Sequence, residues 1–547
     1  MRLHQYFRPS IAHVAVAGTT AVMFAFGMPL SAFGQTSQAQ QASNTPAVRP
    51  VPQAPQPASV VNGTPVSMED AVRMALENNL GIQGQRLDPQ IQSYAVARAN
   101  AVYAPALISS FTRSNSTAPP TDFLSASAAT VTNGSLFSSA GLQQALRWGG
   151  GSYQVTFDGS RGTSDQPNNP FPTSLRSNVN GIFNQPLLRN FKIDTNRANL
   201  LQTRNNQTIA DLQLQQRITQ TGRNVRAAYY GLLGAIQGLT VAQESLDVAR
   251  TTLKNNQTRV EVGTMAAIDI TQAEAEVANN EEAVIIAESQ IQTAQDQLRA
   301  LVLNPSQPNF WSTTFQPSDV ATLTPHAIDV EAAVKNALEN RTDLQQFKKQ
   351  MANTDVSVQL AQNQRLPDVN LQGRYGVTGV GGIRNEYDRD PASNLPILTG
   401  STAVGFGSVL RDVFGNDFRS WSVALNIAYP LGQSVAEAAL AQAKLQQRQE
   451  TVNLTELELG ITNQVRDAAR RVSTNLKRVE ATTKAREFAQ KRLDAENKRF
   501  NVGLSTTFEL TQAQRDLSRA RSSELSAIID YNQSLVDFEA VQIAPIR

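Results

Sequence analysis

The residues best equipped for chemistry are few and scattered. Past the first 34 residues the chain holds one histidine, His326, too few for a zinc site with several imidazole ligands and a poor basis for a histidine-dependent nucleophile triad. Cysteine is absent, which excludes disulfides, thiolate metal centres and thiol redox chemistry. No glycine loop ends in Lys-Ser/Thr, and Gly405-Phe406-Gly407 lacks the third glycine of a dinucleotide loop. Carboxylates are plentiful, and a pair of them is able to cleave glycosides. Here they sit mainly at exposed heptad positions, where their ordinary work is to solvate a helix. Glu509 is different in one respect: with Thr506 it is spaced to cap the last helix.

Charge and length narrow the classes further. Lys and Arg total 48 against 46 Asp and Glu. Arg2 and Arg8 lie in a leader, so the remaining chain is balanced at 46 against 46 and offers no electrostatic case for nucleic acid. In that leader Arg2, His4 and Arg8 precede an apolar run from Ile11 to about Leu30, and Ser31-Ala32-Phe33-Gly34 supplies small residues before Gln35. Residues 1–34 therefore read as a signal peptide; the alternative is an uncleaved anchor, since the run is long enough to span. No cysteine follows, so a lipid-anchored start is excluded. Beyond the leader there is no uninterrupted apolar stretch of about 18 residues, so an integral protein would have to use a β-barrel. Residues 35–62, rich in Gln, Pro, Ser and Ala, read as a flexible linker.

The elements that must position any site are dominated by heptads. Ile218, Val225, Leu232, Leu239, Leu246 and Leu253 recur every seven residues, with Thr221, Ala228, Ala235, Ala242 and Ala249 between them. After Gly263 the pattern resumes with Ile270, Val277, Val284, Ile291 and Leu298. Such spacing keeps one apolar seam on a helix, and the small residues let two backbones approach. A long antiparallel hairpin follows, with its tip at Val262-Gly263-Thr264. Ser67 and Asp70 are spaced to cap an opening helix that continues to about Ala101 and ends at Pro105. Between Pro105 and Leu188 acids become rare and short alternating runs appear: Ala106 to Arg113, Gln143 to Trp148, Tyr153 to Asp158 and Val179 to Leu187. Trp148-Gly149-Gly150-Gly151 reads as a tight turn. The alternation is that of a weak barrel signal or of a soluble β-subdomain.

The chain then repeats itself. Ala71-Val72-Arg73-Met74-Ala75-Leu76-Glu77-Asn78 returns as Ala333-Val334-Lys335-Asn336-Ala337-Leu338-Glu339-Asn340, and Pro105 returns as Pro367. Strand-like runs at Asp368 to Thr378 and Trp421 to Pro430 are separated by a Gly/Asp/Asn-rich loop. Gln185-Pro186-Leu187 returns as Tyr429-Pro430-Leu431, and Arg259-Val260-Glu261-Val262-Gly263 as Arg499-Phe500-Asn501-Val502-Gly503. Residues 63–303 form a first repeat of helix, strands and long hairpin. Residues 304–328 form an irregular connector, and residues 329–547 a second repeat.

This duplicated order resembles the TolC family of outer-membrane efflux and secretion channels, from about Val66 to the C-terminus. Its most specific carriers are the two tips, each followed by Asp269 or Glu509 and a Gln-Ala pair. The resemblance implies a membrane protein of mixed α and β class. In it a homotrimeric transmembrane barrel, four strands per chain and twelve in all, continues into a long periplasmic α-helical coiled-coil barrel. The hairpin from Gln143 to Asp158 exceeds that count; it is expected to lie outside the barrel, the alternative being six strands per chain. The resemblance also implies that Val262, Gly263, Thr264, Val502, Gly503 and Leu504 dock a periplasmic adaptor (membrane fusion) protein joined to an inner-membrane transporter. It places a periplasmic gate at Glu509 and Gln512, where Gln512 replaces an acid often found in the family.

The function implied is a passive, non-enzymatic exit duct in the outer membrane of a Gram-negative bacterium, serving tripartite efflux or type I secretion, surrounded by outer-membrane lipid and using no cofactor. The competing reading is a periplasmic coiled-coil scaffold or adaptor without a barrel. Metal export by the same architecture finds no His- or Met-rich tract to support it.

Overall fold

The computed structural model describes residues 63–120, 129–167, 169–319, 327–391, 396–432 and 434–542. The expected signal peptide, the linker and His326 lie outside the described residues.

The described residues open with a short strand, β1 (Thr64–Val66), and three helices, α1 (Met68–Asn78), α2 (Leu80–Gln85) and α3 (Leu87–Ala101). Ser67 caps α1 as its spacing predicts, accepting from the Asp70 amide at 3.1 Å. The single opening helix expected to Ala101 is interrupted at Asn79. Its side-chain oxygen caps α2 by accepting from the Gly81 and Ile82 amides, and its amide group donates to the Leu301 carbonyl at 3.0 Å. An Asx side chain offers the backbone this local alternative to continuing a helix.

Four antiparallel strands follow: β2 (Ala106–Ala118), β3 (Val131–Ala145), β4 (Ser152–Ser164) and β5 (Thr173–Pro186). The Gly149 and Gly150 turn between β3 and β4 takes positive φ at both glycines (63° and 66°), which only glycine adopts without penalty. The hairpin α4 (Thr195–Glu261) and α5 (Ile268–Val302) comes next. At 1.5 Å per residue, the 67 residues of α4 reach about 100 Å. α5 packs along one part of α4 and α3 along another, so the opening helix and the returning arm share its length. The heptad seam is the one buried: Val225, Leu232, Leu246 and Ala249 on α4 and Ala273, Ala287, Ile291 and Leu298 on α5.

Up to Asp319 the connector is more ordered than its Pro/Asn content implies. It contains β6 (Phe315–Pro317), which pairs in parallel with β1. The Gln295 amide locks β6 onto α5, donating to the Phe315 carbonyl at 2.6 Å and accepting from the Phe315 amide at 2.9 Å. Tyr229 of α4 closes this waist. Its hydroxyl lies 2.9 Å from Asp319 Oδ2 and 3.0 Å from the Val66 carbonyl oxygen. Burial pushes its pKa up to about 12, so it remains a neutral donor.

The second repeat retraces the first: α6 (Val330–Asn340), α7 (Thr342–Gln364), β7 (Asp368–Arg389), β8 (Pro396–Val404), α8 (Phe406–Gly415), β9 (Arg419–Ala428), α9 (Val435–Asn501) and α10 (Thr507–Gln542). The segment read as a Gly/Asp/Asn-rich loop therefore holds a strand and a helix. The candidate glycine loop at Gly405 is the N-terminal boundary of α8.

The seven long strands among the described residues form one antiparallel sheet in the order β2-β3-β4-β5-β7, with β8 and β9 both on the far edge of β7. The long-helix and antiparallel-strand architecture is the expected one, but the strand count is not four. The sheet has six positions across, and the Gln143–Asp158 hairpin, expected outside, lies within it. The reason is continuous registry: Leu107 pairs Leu142, Leu142 pairs Val155, and Val155 pairs Gly181 without a break. The strands also run several residues beyond their sequence-derived limits, because Ser, Asn and Gly at their outer ends weaken the alternation without stopping the ladder.

Candidate functional sites at the helical tips and on the sheet

Each tip is built by a helix that ends on a left-handed glycine. Gly263 has φ +75° and Gly503 φ +77°. The Gly263 amide donates to the Val260 carbonyl at 2.9 Å and the Thr264 amide to the Arg259 carbonyl at 2.8 Å. The Gly503 and Leu504 amides donate in the same way to Phe500 and Arg499, at 3.2 and 2.9 Å. This pair of bonds is the Schellman closure, which satisfies helix-end carbonyls and requires a residue tolerant of positive φ. Val262, Val502 and Leu504 are left outward, 67 to 70% exposed. The two tips touch: the Arg259 guanidinium lies 4.6 Å over the Phe500 ring and donates to Asn501 Oδ1 at 3.1 Å. The structure thus brings all six tip residues of the sequence reading to two adjacent turns.

Glu509 is exposed and joins a capping box at the start of α10. Its amide donates to Thr506 Oγ1 at 3.3 Å, and its carboxylate accepts from the Thr506 amide at 3.5 Å and from Ser505 Oγ at 2.9 Å. The Ser505 hydroxyl, then the Thr506 amide, hold its carboxyl below the usual carboxylate range, with Arg499 adding a smaller pull. Gln512 donates to Asp516 at 2.9 Å, so an acid does stand one turn along from Gln512.

Two carboxylates that heptad reasoning placed at the surface are buried. Glu496 contacts Ser505 and pairs with Arg499 at 3.2 Å. Glu276 of α5 receives both Nε and Nη2 of Arg515 from α10, at 2.7 and 2.5 Å. That bond ties the first hairpin to the second and raises the Arg515 pKa. No local signal announces it, because its partners are 239 residues apart. Among the described residues no group of three or more His, Cys, Asp or Glu is placed to hold a metal ion.

The sheet has two chemically distinct faces. One row across it reads Leu107, Leu142, Val155, Gly181, Tyr375, Trp421. The next, pointing the other way, reads Ile108, Gly141, Thr156, Asn180, Gly376, Ser420. On β9 the apolar set is Trp421, Val423, Leu425 and Ile427, each at least 55% exposed. On the other face Asp158 accepts from Ser139 at 2.6 Å and from Asn180 at 3.0 Å. Apolar outside and polar inside is the pattern of a barrel in lipid around an aqueous lumen. Among the described residues no helix is long and apolar enough to cross a membrane.

Comparison with known proteins agrees. No curated protein sequence matches the chain. The profile of the outer membrane efflux protein family matches residues 153–302 and 333–541. Among solved structures the chain is similar to the outer-membrane channel OprN (15% identity, 87% of this chain and 90% of that one, TM-score 0.62). It is also similar to the CmeC outer membrane channel of Campylobacter jejuni (14%, 87% and 85%, 0.59). The MtrE outer membrane channel of Neisseria gonorrhoeae, solved in an open state, matches at 16% identity over 90% and 98% with a TM-score of 0.59. Family, fold and the two-faced sheet converge: the chain belongs to the outer membrane efflux protein family and is a non-enzymatic outer-membrane efflux channel of the tripartite type, whose helices extend into the periplasm.

Proposed function

We propose that three copies close edge to edge, β2 of one chain against the β8 and β9 edge of the next, into a barrel of eighteen strands, six positions from each chain. The observation that carries this reading is the sheet itself: one apolar face, one polar face, and no partner for either edge among the described residues. β2 and β9 run in opposite directions, so the new pairing is antiparallel like the rest. A barrel's diameter grows roughly in proportion to its strand number, so this lumen would be about half again as wide as a twelve-strand one. In this reading β2 and β3, which precede the family match that begins at Tyr153 in β4, are the additional hairpin.

At the other end the exposed Val262, Val502 and Leu504 dock the periplasmic adaptor, and Gly263, Thr264 and Gly503 shape the turns that present them. Energy comes from the inner-membrane transporter, and the duct itself performs no catalysis. Three copies of Glu509 around one axis form the gate. Their carboxylates focus a negative potential in a narrow mouth, and Gln512 leaves the next turn less charged. Capping and gating are compatible, since the box uses one carboxylate oxygen.

The mass of the protein extracted in mild detergent tests the assembly: a stable trimer is expected, and a detergent-independent monomer or dimer would remove the shared barrel. Conductance of the reconstituted trimer tests the width. The gate predicts that Glu509→Gln lowers the preference for cations; unchanged selectivity would remove Glu509 from that role.

A further inference from the structure

α8 has no assigned role, and its seat is unusual. It packs on β7 and β5 at Gly379 and Gly381, where an added Cβ would strike Val409. Gly379 and Gly381 follow Tyr375 and Val377 at two-residue steps along β7, so they belong to the apolar face of the sheet. α8 therefore lies on the outer wall of the barrel, with Val409 and Val413 buried against it. Seen down its axis, the rest of the helix divides in two. Phe406, Leu410 and Phe414 follow at four-residue spacing on one flank, and Ser408, Arg411 and Asp412 occupy the other. Phe414 is 77% exposed, and Phe418 just beyond is 60% exposed. Tyr375 of the apolar wall donates to Asn416 Oδ1 at 2.6 Å, fastening the helix end to the strand.

Its height on the wall is also defined. β7 starts at Asp368, just after α7, and so at the periplasmic end. Val377 to Gly381 stand nine to thirteen residues further. At about 3.3 Å per residue and a tilt of about 40°, that is roughly 23–33 Å up the barrel. The apolar band of an outer-membrane barrel is about 25 Å tall. α8 thus sits where the band meets the outer surface.

We propose that α8 is an interfacial helix carried on the barrel wall: its Phe406, Leu410 and Phe414 flank enters the acyl chains of the outer leaflet, while Ser408, Arg411 and Asp412 face the headgroups. A helix with one apolar and one polar side lies in such an interface, and here the helix is seated on the lipid-facing wall. The proposal rests on the outer-membrane location and not on the docking role of the tips.

The absence of cysteine makes single spin labels available in the full-length trimer. Phe414→Cys, Arg411→Cys and Val423→Cys would be labelled in vesicles of phosphatidylethanolamine and phosphatidylglycerol. Collisional relaxation by oxygen, which concentrates in lipid, would be compared with relaxation by a water-soluble nickel chelate. The label at 414 is expected to favour oxygen several-fold more than the label at 411, approaching the wall label at 423. If 414 and 411 are equally open to nickel while 423 is not, α8 stands in water and the inference falls, with the barrel intact. If neither reagent reaches 414, protein covers the flank and the inference falls as well. Nickel access at 423 would overturn the lipid-facing wall itself. The exposed Phe406→Cys repeats the test should the 414 variant not assemble, and is expected to match the wall.

Discussion

The tip joining α4 to α5 and the tip joining α9 to α10 share the glycine turn and part company one residue later. After Gly503 the chain reads Ser505-Thr506, and the side chains of both fasten the start of α10 through Glu509. After Gly263 it reads Met265-Ala266, and α5 begins with no side-chain cap. Met265 instead packs against Leu493, Phe500, Leu510, Ala513 and Leu517, the apolar cluster of the second tip. Buried Glu496 on α9 has a buried amide, Asn256, as its counterpart on α4. The first tip thus leans on the second, and the second is fastened by its own polar groups. Duplication preserved the turn, which geometry requires, and released the helix start, where one copy is enough to hold both.

The turn itself should be the most costly thing to change, in either copy. No atom lies within 4 Å of a Cβ built on Gly263 or Gly503, so the objection to a side chain is conformational. A left-handed β-branched residue costs on the order of 1–2 kcal/mol. Gly263→Val and Gly503→Val are each expected to abolish most export while trimers still form by native electrophoresis. Normal export by either variant would end the docking assignment for that tip and make the two tips unequal in function as well as in fastening.

Next in size is the link between the hairpins. Glu276→Gln removes the charge that two Arg515 nitrogens share. Arg515 is 46% exposed, so the loss is expected to be about 1–2 kcal/mol, less than for a fully enclosed pair. Hydrogen exchange should rise in α5 and α10 together, and an Arg515→Ala background should suppress the effect of Glu276→Gln. A rise confined to α5 would mean that the first tip is not held by the second.

What was legible in the sequence follows the range of the forces involved. The tips, caps and seams are local: glycine after a heptad run, Ser67 three before Asp70, Ala alternating with Leu. The repeat was visible because Ala333 to Asn340 copies Ala71 to Asn78. The sheet's extent was not, since Ser109, Ser110 and Ser114 in β2 break the alternation while the ladder to β3 continues. α8 was hidden because its buried Val409 answers to Gly379 and Gly381 on a strand some thirty residues away. Glu276 and Arg515 meet only when two repeats dock, and neither neighbourhood carries a trace of the other.

A smaller exchange tests the fastening directly. Thr506→Ala is expected to cost about 1 kcal/mol in the first turn of α10. Ala266 occupies the same place in the first tip, three residues before Asp269. Ala266→Thr would complete a box there and is expected to slow exchange in the first turn of α5 by several-fold. If it does not, the entry to α5 is set by Met265 packing against the second tip, and the missing cap is a consequence of that packing.

The smallest effect is that of pH. The Ser505 hydroxyl and the Thr506 amide favour the charged form of Glu509, so its pKa in the folded tip lies below its unfolded value. A carboxylate depressed in this way contributes its full stabilisation above the unfolded pKa. It loses that contribution as pH falls from the ordinary carboxylate range through the lower folded value. The second tip should therefore be indifferent to pH near neutrality and loosen only in acid, seen as faster amide exchange over 505–510. Glu509→Gln keeps an acceptor without the titration and should flatten that acid response. If wild type and Glu509→Gln loosen in parallel, the carboxylate is not what fastens α10, and the contrast between the tips reduces to Thr506 against Ala266.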